Sequence, residues 1–102
     1  MGRYVYAPKA DQNHSEIVGA YNELYCSVLD LHKVGESCPD LLVGCAGRSE
    51  LVEIKQEAGQ LSPGQVLFNN LWRGNKVVIV RNRADVINHV GNIRERASRG
   101  RK

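Results

Sequence analysis

Three residues of this 102-residue chain have types and spacings suited to hydrolytic chemistry: Asp40, directly after Pro39, and the pair Glu53 and Lys55, separated by Ile54. Side chains alternate along an extended strand, so Glu53 and Lys55 project to one face while Val52 and Ile54 project to the other. On an open strand such a pair is a solvated ion pair. Pro39, however, sets the approach to the strand that Asp40 opens, and a neighbouring strand can bring that carboxylate beside Glu53. Two carboxylates at one strand edge cannot both stay ionised at low cost unless a cation lies between them. Oxygen donors without a thiolate or imidazole partner suit Mg²⁺ or Mn²⁺, ions that keep several waters and complete their shells with phosphate oxygens. A lysine beside such an ion orients an attacking water and offsets the charge that builds on a phosphate in the transition state. That set of parts hydrolyses phosphodiesters.

The surrounding elements must bring these residues together. Ile17, Tyr21 and Leu24 recur at helical spacing, with Asn13 three residues before Glu16 as a capping box, which predicts an amphipathic helix over residues 14 to 25. The period then changes to two. Residues 27 to 32 predict a strand, Gly35 a turn, and residues 40 to 44 and 50 to 55 two more strands, with the turn between them holding Gly47. Connections this short imply antiparallel neighbours. Gly44 and Gly47 therefore read as hairpin residues rather than a phosphate cradle. Ser62, Pro63 and Gln65 start a second helix that Gly74 stops, with Leu67, Phe68, Leu71 and Trp72 as its apolar stripe. Trp72 and Tyr21 are expected in the core. Residues 76 to 80 form a β-branched strand, and Asn82 and Asp85 open a third helix carrying Val86, Val90 and Ile93. The order α-β-β-β-α-β-α, with a parallel, right-handed crossover from residue 50 to 80, predicts an α/β protein with a small mixed sheet flanked by helices.

Composition narrows the classes. With 42% apolar residues the chain is long enough for one core, expected over residues 1 to 93, followed by a basic tail over 94 to 102. The tail sets Arg94, Arg96, Arg99, Arg101 and Lys102 against Glu95 alone, or +4, within a chain of net charge +3, leaving the body near neutral at −1. Arg48, Arg81 and Arg83, with Arg94, Arg96 and Arg99, are candidates for phosphate contact or ordinary surface charge. Arg3 and Tyr4 suit base stacking or a dimer contact. The longest aliphatic run, Val77-Val78-Ile79-Val80, is far short of a membrane span, and no signal-type apolar block stands at the N-terminus, so a soluble, cytoplasmic protein is expected. Cys26, Cys38 and Cys45 fit no disulfide framework and are expected as reduced thiols. His14, His32 and His89 fall at no zinc-ligand spacing with a cysteine pair, so no zinc is expected.

Five segments in order carry a family resemblance: Asn13 with Glu16-Ile17-Val18; Val34-Gly35 leading to Pro39-Asp40-Leu41-Leu42-Val43-Gly44; Leu51-Val52-Glu53-Ile54-Lys55; Leu61-Ser62-Pro63 with Gln65; and Trp72-Arg73-Gly74. From about residue 11 to residue 81 the chain resembles the PD-(D/E)xK nuclease superfamily, and more narrowly its VRR-Nuc (virus-type replication-repair nuclease) branch, often met as stand-alone phage proteins. The resemblance implies a restriction-endonuclease-like α-β-β-β-α-β core. It implies that Asp40, Glu53 and the main-chain carbonyl of Ile54 hold Mg²⁺ (or Mn²⁺), with Lys55 as the water-positioning base. Glu16 would reach the site from the first helix and hold a second metal or its water; its other reading is a helix-capping glutamate. Gln65 would face the site, and also satisfies a capping box with Ser62. The activity implied is a structure-specific DNA endonuclease of repair or recombination, resembling Holliday-junction resolvases. Such an enzyme works as a homodimer on branched DNA in the cytosol of a bacterium or a phage-infected host. The approach Gly35-Glu36-Ser37-Cys38 is less glycine-rich than in many relatives and the loop Gln56 to Gln60 is short, departures that bear on substrate choice. A second reading is a catalytically silent DNA-binding or nuclease-regulating module of the same fold. The presence of Asp40, Glu53 and Lys55 together favours the enzyme.

Overall fold

The computed structural model describes residues 9–100; Arg3, Tyr4, Arg101 and Lys102 lie outside the described residues. Its elements are α1 (Lys9–Glu23), β1 (Ser27–Asp30), β2 (Leu41–Cys45), β3 (Arg48–Ile54), α2 (Pro63–Leu71), β4 (Val78–Val80) and α3 (Arg83–Arg99). This is the predicted order. The sheet runs β1-β2-β3-β4, antiparallel over its first three strands and parallel between β3 and β4, so the mixed character expected from the crossover is present.

One face of the sheet carries the core. Leu41 and Val43 of β2, Val52 of β3 and Val80 of β4 pack with Ile17, Ala20 and Tyr21 of α1 and with Val86, Val90 and Ile93 of α3. Each fully buried aliphatic side chain of this set contributes about 1.5–3 kcal/mol of transfer free energy. The hairpin between β2 and β3 is tighter than predicted, with only Ala46 (φ 53°) and Gly47 (φ 76°) between the strands. Two left-handed residues give the turn whose twist matches that of the flanking strands. α1 begins earlier than predicted, so Asn13 lies inside the helix and does not cap it. At the other end Tyr25 takes a left-handed conformation (φ 65°), and the Cys26 N–H donates to the Tyr21 carbonyl at 3.1 Å, which turns the chain into β1.

Two further expectations change. Trp72 does not enter the core: 46% exposed, it sits just past the end of α2 with extended backbone and stacks on Phe68 at a centroid separation of 5.5 Å. α2 buries none of its residues fully, because α1 and α3 occupy the core face and α2 meets the sheet on the other. Gly74 leaves room for the indole, since a Cβ there would lie 2.7 Å from Trp72 Nε1. The boundary expected between residues 93 and 94 falls inside α3, whose Arg94 and Arg96 reach back to the body. Among the described residues no helix is long and apolar enough to cross a membrane.

Candidate active site

Hairpin geometry sets the start of β2 and the end of β3 at one end of the sheet, and β4, parallel to β3, finishes there too. Crevices beyond the carboxyl ends of parallel strands are where α/β sheets bind ligands. Asp40 stands immediately before β2. Its carbonyl accepts from the Leu31 N–H at 2.8 Å, and its Oδ2 accepts from the Ile54 N–H, also at 2.8 Å. The carboxylate thus takes over from the main-chain ladder where β2 runs out, one step beyond the Leu41–Val52 pair. An extended residue directs its N–H and C=O to the same edge. The Ile54 carbonyl therefore faces the Asp40 side of β3.

Glu53 alternates with core-facing Val52 and Ile54, so it points to the α2 face, and only 4% of it is exposed. Burial, then the charge of the adjacent Asp40 carboxylate and a hydrogen bond shared with it, push its pKa up from 4.5 to about 8, against the opposing charge of Lys55. Asp40 is thus within hydrogen-bond reach of Glu53, and the Lys55 charge acts on the same carboxyl. Lys55 is held through its main chain on both sides: its N–H donates to the Val80 carbonyl at 3.0 Å and its carbonyl accepts from Asn13 Nδ2 at 3.0 Å. Asn13 therefore ties α1 to the end of β3.

Gln65 closes the predicted cap and also reaches Glu53. Its N–H donates to Ser62 Oγ (3.2 Å) and its Oε1 accepts from the Ser62 N–H (2.8 Å), a complete capping box, while its Nε2 donates to Glu53 Oε2 at 2.9 Å. Both amide ends are used in the sense their chemistry allows. The same helix end is braced from the approach loop, because a Cβ on Gly64 would lie 2.3 Å from Ser37 Oγ. Gly35, Glu36 and Ser37 all have positive φ (81°, 54° and 63°), a strained run that seats the loop under α2. Cys38 follows beside the pair, its thiol pushed up by burial and then by the charges of Glu53 and Asp40.

Glu16 is carried by α1. It lines a neighbouring cleft of about 720 Å³ between α1 and the loops after β3 and β4, together with Gln56, Glu57, Arg81 and Arg83. The charge it acts on is that of Arg83. Its capping alternative is overturned, because α1 starts four residues ahead of Asn13.

The six candidate arginines divide between the two ends of the sheet. Arg81 gathers the carbonyls of Gln56 (2.7 Å), Glu57 (3.3 Å) and Gly59 (2.7 Å), and Arg83 pairs with Glu23 at 2.7 Å. At the far end Arg48 donates to the Arg96 carbonyl, Arg94 to the Leu24 carbonyl, Arg96 to Glu50 and Arg99 to Glu95. Each of the six carries a local hydrogen-bonding role.

Sequence reasoning missed a second polar group, on the core side of the sheet. Glu50 Oε1 lies 2.7 Å from His89 Nε2, Tyr21 Oη lies 2.7 Å from His89 Nδ1, and Arg96 donates to Glu50 Oε2 at 2.8 Å. His89 and Arg96 are two helical turns apart and so share a face. Placing Glu50 on the same strand face as Val52 was the available signal.

Among the described residues, no group of three or more His, Cys, Asp and Glu forms a metal cage. Asp40 and Glu53 nevertheless fit a hard divalent ion: both are oxygen donors, they repel each other when ionised, and each is already aimed by a hydrogen bond. Two carboxylates suit an ion that keeps most of its waters. No protein-family model matches the chain, and comparison with curated proteins and with solved structures gives no match.

Proposed function

We propose that the chain is a Mg²⁺-dependent endonuclease of PD-(D/E)xK type, of the VRR-Nuc branch with its restriction-endonuclease-like core. Its substrate would be branched DNA and its activity resolvase-like. The observation that carries the reading is the pairing of buried Glu53 with Asp40 beside Lys55, at the end of the sheet where β3 and β4 both finish. Mg²⁺ bound there would polarise the phosphate and its own water.

The chain's residues do the rest. Asp40 and Glu53 would hold the ion, with the Ile54 carbonyl as a third oxygen. Asp40 stays oriented by the Ile54 N–H, and Glu53 by Gln65 Nε2. The Lys55 ammonium would orient the attacking water and offset charge on the phosphate, and its backbone is pinned by Val80 and Asn13 so that its reach is fixed. Glu16, with Arg81 and Arg83, would line the adjoining cleft along which a strand could continue. Two symmetric cuts across a junction need two sites and one domain supplies one, so the working form would be a homodimer.

The test is incubation with a synthetic four-way junction beside linear duplex and single strand, with and without Mg²⁺. Mg²⁺-dependent cutting that prefers the junction is expected. Cutting without preference would leave a general nuclease, and binding without cutting on every substrate would favour the silent DNA-binding module.

A further inference from the structure

β1 is the outer strand of the sheet, four residues long and mostly exposed, and it enters directly from the end of α1. Its register with β2 runs from Ser27 opposite Gly44 to Asp30 opposite Leu41, so one step outward sets Cys26 opposite Cys45. Hydrogen-bonded and non-hydrogen-bonded pairs alternate along an antiparallel ladder. The Leu31 N–H donates to the Asp40 carbonyl at 2.8 Å, which makes 31 and 40 a bonded pair and, by alternation, 26 and 45 a non-bonded one. Two observations agree. The Cys26 N–H is turned away from β2, onto the Tyr21 carbonyl, and Cys45 pairs across the two-residue turn with Arg48, which directs its main-chain groups to β3.

Residues in a non-bonded pair have Cα atoms about 4.5 Å apart, inside the span of about 4.4–6.8 Å that a disulfide bridges. Both cysteines are free, both are 7% exposed, and both side chains belong to the same core cluster. We propose that Cys26 and Cys45 form an oxidation site that closes into a cross-strand disulfide when the protein meets a small-molecule disulfide. This inference does not depend on the nuclease reading.

The chemistry balances. One protein thiolate attacks a sulfur of the small disulfide and expels one small thiolate. The second protein thiol, losing its proton, attacks the protein sulfur of the mixed disulfide and expels the other. Two protein S–H bonds are lost and one S–S bond forms, so the protein is oxidised while the reagent is reduced to two thiols. Burial, and then the neighbouring Cys45 thiol, push Cys26 up to about 11, so thiolate is scarce at neutral pH and the reaction quickens as pH rises. Local opening of the short edge strand would give the reagent access. The closed loop contains the strained Glu36-Ser37 turn and Asp40, so the bond ties the outer strand and the approach loop to β2.

The experiment treats the full chain, folded, with oxidised glutathione, alkylates the remaining thiols and maps the digest by mass. A peptide linked through Cys26 and Cys45, with Cys38 alkylated, is expected in the wild type and in Cys38→Ala. The thermal midpoint of both should rise on oxidation by more than about 5 °C and fall back with reductant. Recovery of Cys26 and Cys45 as separate alkylated or glutathionylated residues would overturn the proposal, as would linkage through Cys38.

Discussion

Gln65 Nε2 donates to Glu53 Oε2 at 2.9 Å while Gln65 Oε1 accepts from the Ser62 N–H at 2.8 Å, so one side chain closes the cap of α2 and aims a buried carboxylate. α2 buries none of its residues fully, which makes this contact a principal tie between helix and sheet.

Gln65→Ala should weaken the proposed ion site as well as the docking of α2. Partners that orient a ligating carboxylate typically contribute 10–100-fold in metal affinity or activity, so the Mg²⁺ concentration for half-maximal cleavage should rise by about that factor. Ser62→Ala removes the cap oxygen, costs about 1 kcal/mol, and should raise the Mg²⁺ requirement less, since Gln65 can still reach Glu53. An unchanged Mg²⁺ requirement in Gln65→Ala would dismiss the positioning role.

Asp40 has two oxygens with two tasks, and its variants separate them. Asp40→Asn keeps an oxygen for the Ile54 N–H, so the strand end stays paired while the anionic ligand is lost. Asp40→Ala also strands that N–H, adding about 1–3 kcal/mol of instability. Both should slow cleavage by at least about 10²-fold, and Lys55→Ala should do the same. Urea unfolding distinguishes them: Asp40→Asn should unfold near wild type and Asp40→Ala earlier. Full cleavage by Asp40→Asn would remove Asp40 from the chemistry.

The pH behaviour of the metal-free protein follows from Glu53. Its folded pKa, about 8, lies above its ordinary 4.5, so the stability it contributes is complete below about 4.5 and is lost as pH rises through about 8. With a chelator present, the thermal midpoint should fall between about pH 4.5 and pH 8 and level off above, a loss on the order of a few kcal/mol. Glu53→Gln, which cannot ionise, should flatten that fall. A wild-type midpoint constant across the window would contradict the buried pairing.

The element order, the α2 cap and the facing of Glu53 were legible because they rest on local period and punctuation: alternation set Glu53 opposite to Val52, and Ser62-Pro63 with Gln65 marked a cap. The start of α1 was not legible, since Asn13 resembles a cap and only the end of β3, distant in sequence, offers it the Lys55 carbonyl. Trp72 misled because its spacing continues the α2 stripe, while the chain leaves the helix at that residue and the core face is already filled by α1 and α3. The basic run after residue 93 read as a free tail because charge alone carries no record of Glu50, the buried acid that draws Arg96 inward.

That acid supports the last prediction. Burial works to raise the Glu50 carboxyl, but hydrogen bonds from Arg96 and His89, and their charges, outweigh it and hold the group below the usual carboxylate range. Its stabilising contribution is thus present above about 4.5 and is lost as pH falls through its lowered value. Removing a partner leaves a buried charge uncompensated, so His89→Ala should destabilise by about 3–5 kcal/mol. Arg96→Ala, whose side chain is 44% exposed, should cost less because water can replace it. Denaturant unfolding at neutral pH measures both. Glu50 faces the core helices while Glu53 faces α2, so cleavage by either variant, assayed where it remains folded, should keep the wild-type Mg²⁺ requirement. A shifted requirement would show that the buried network reaches the proposed ion site, through β3 itself.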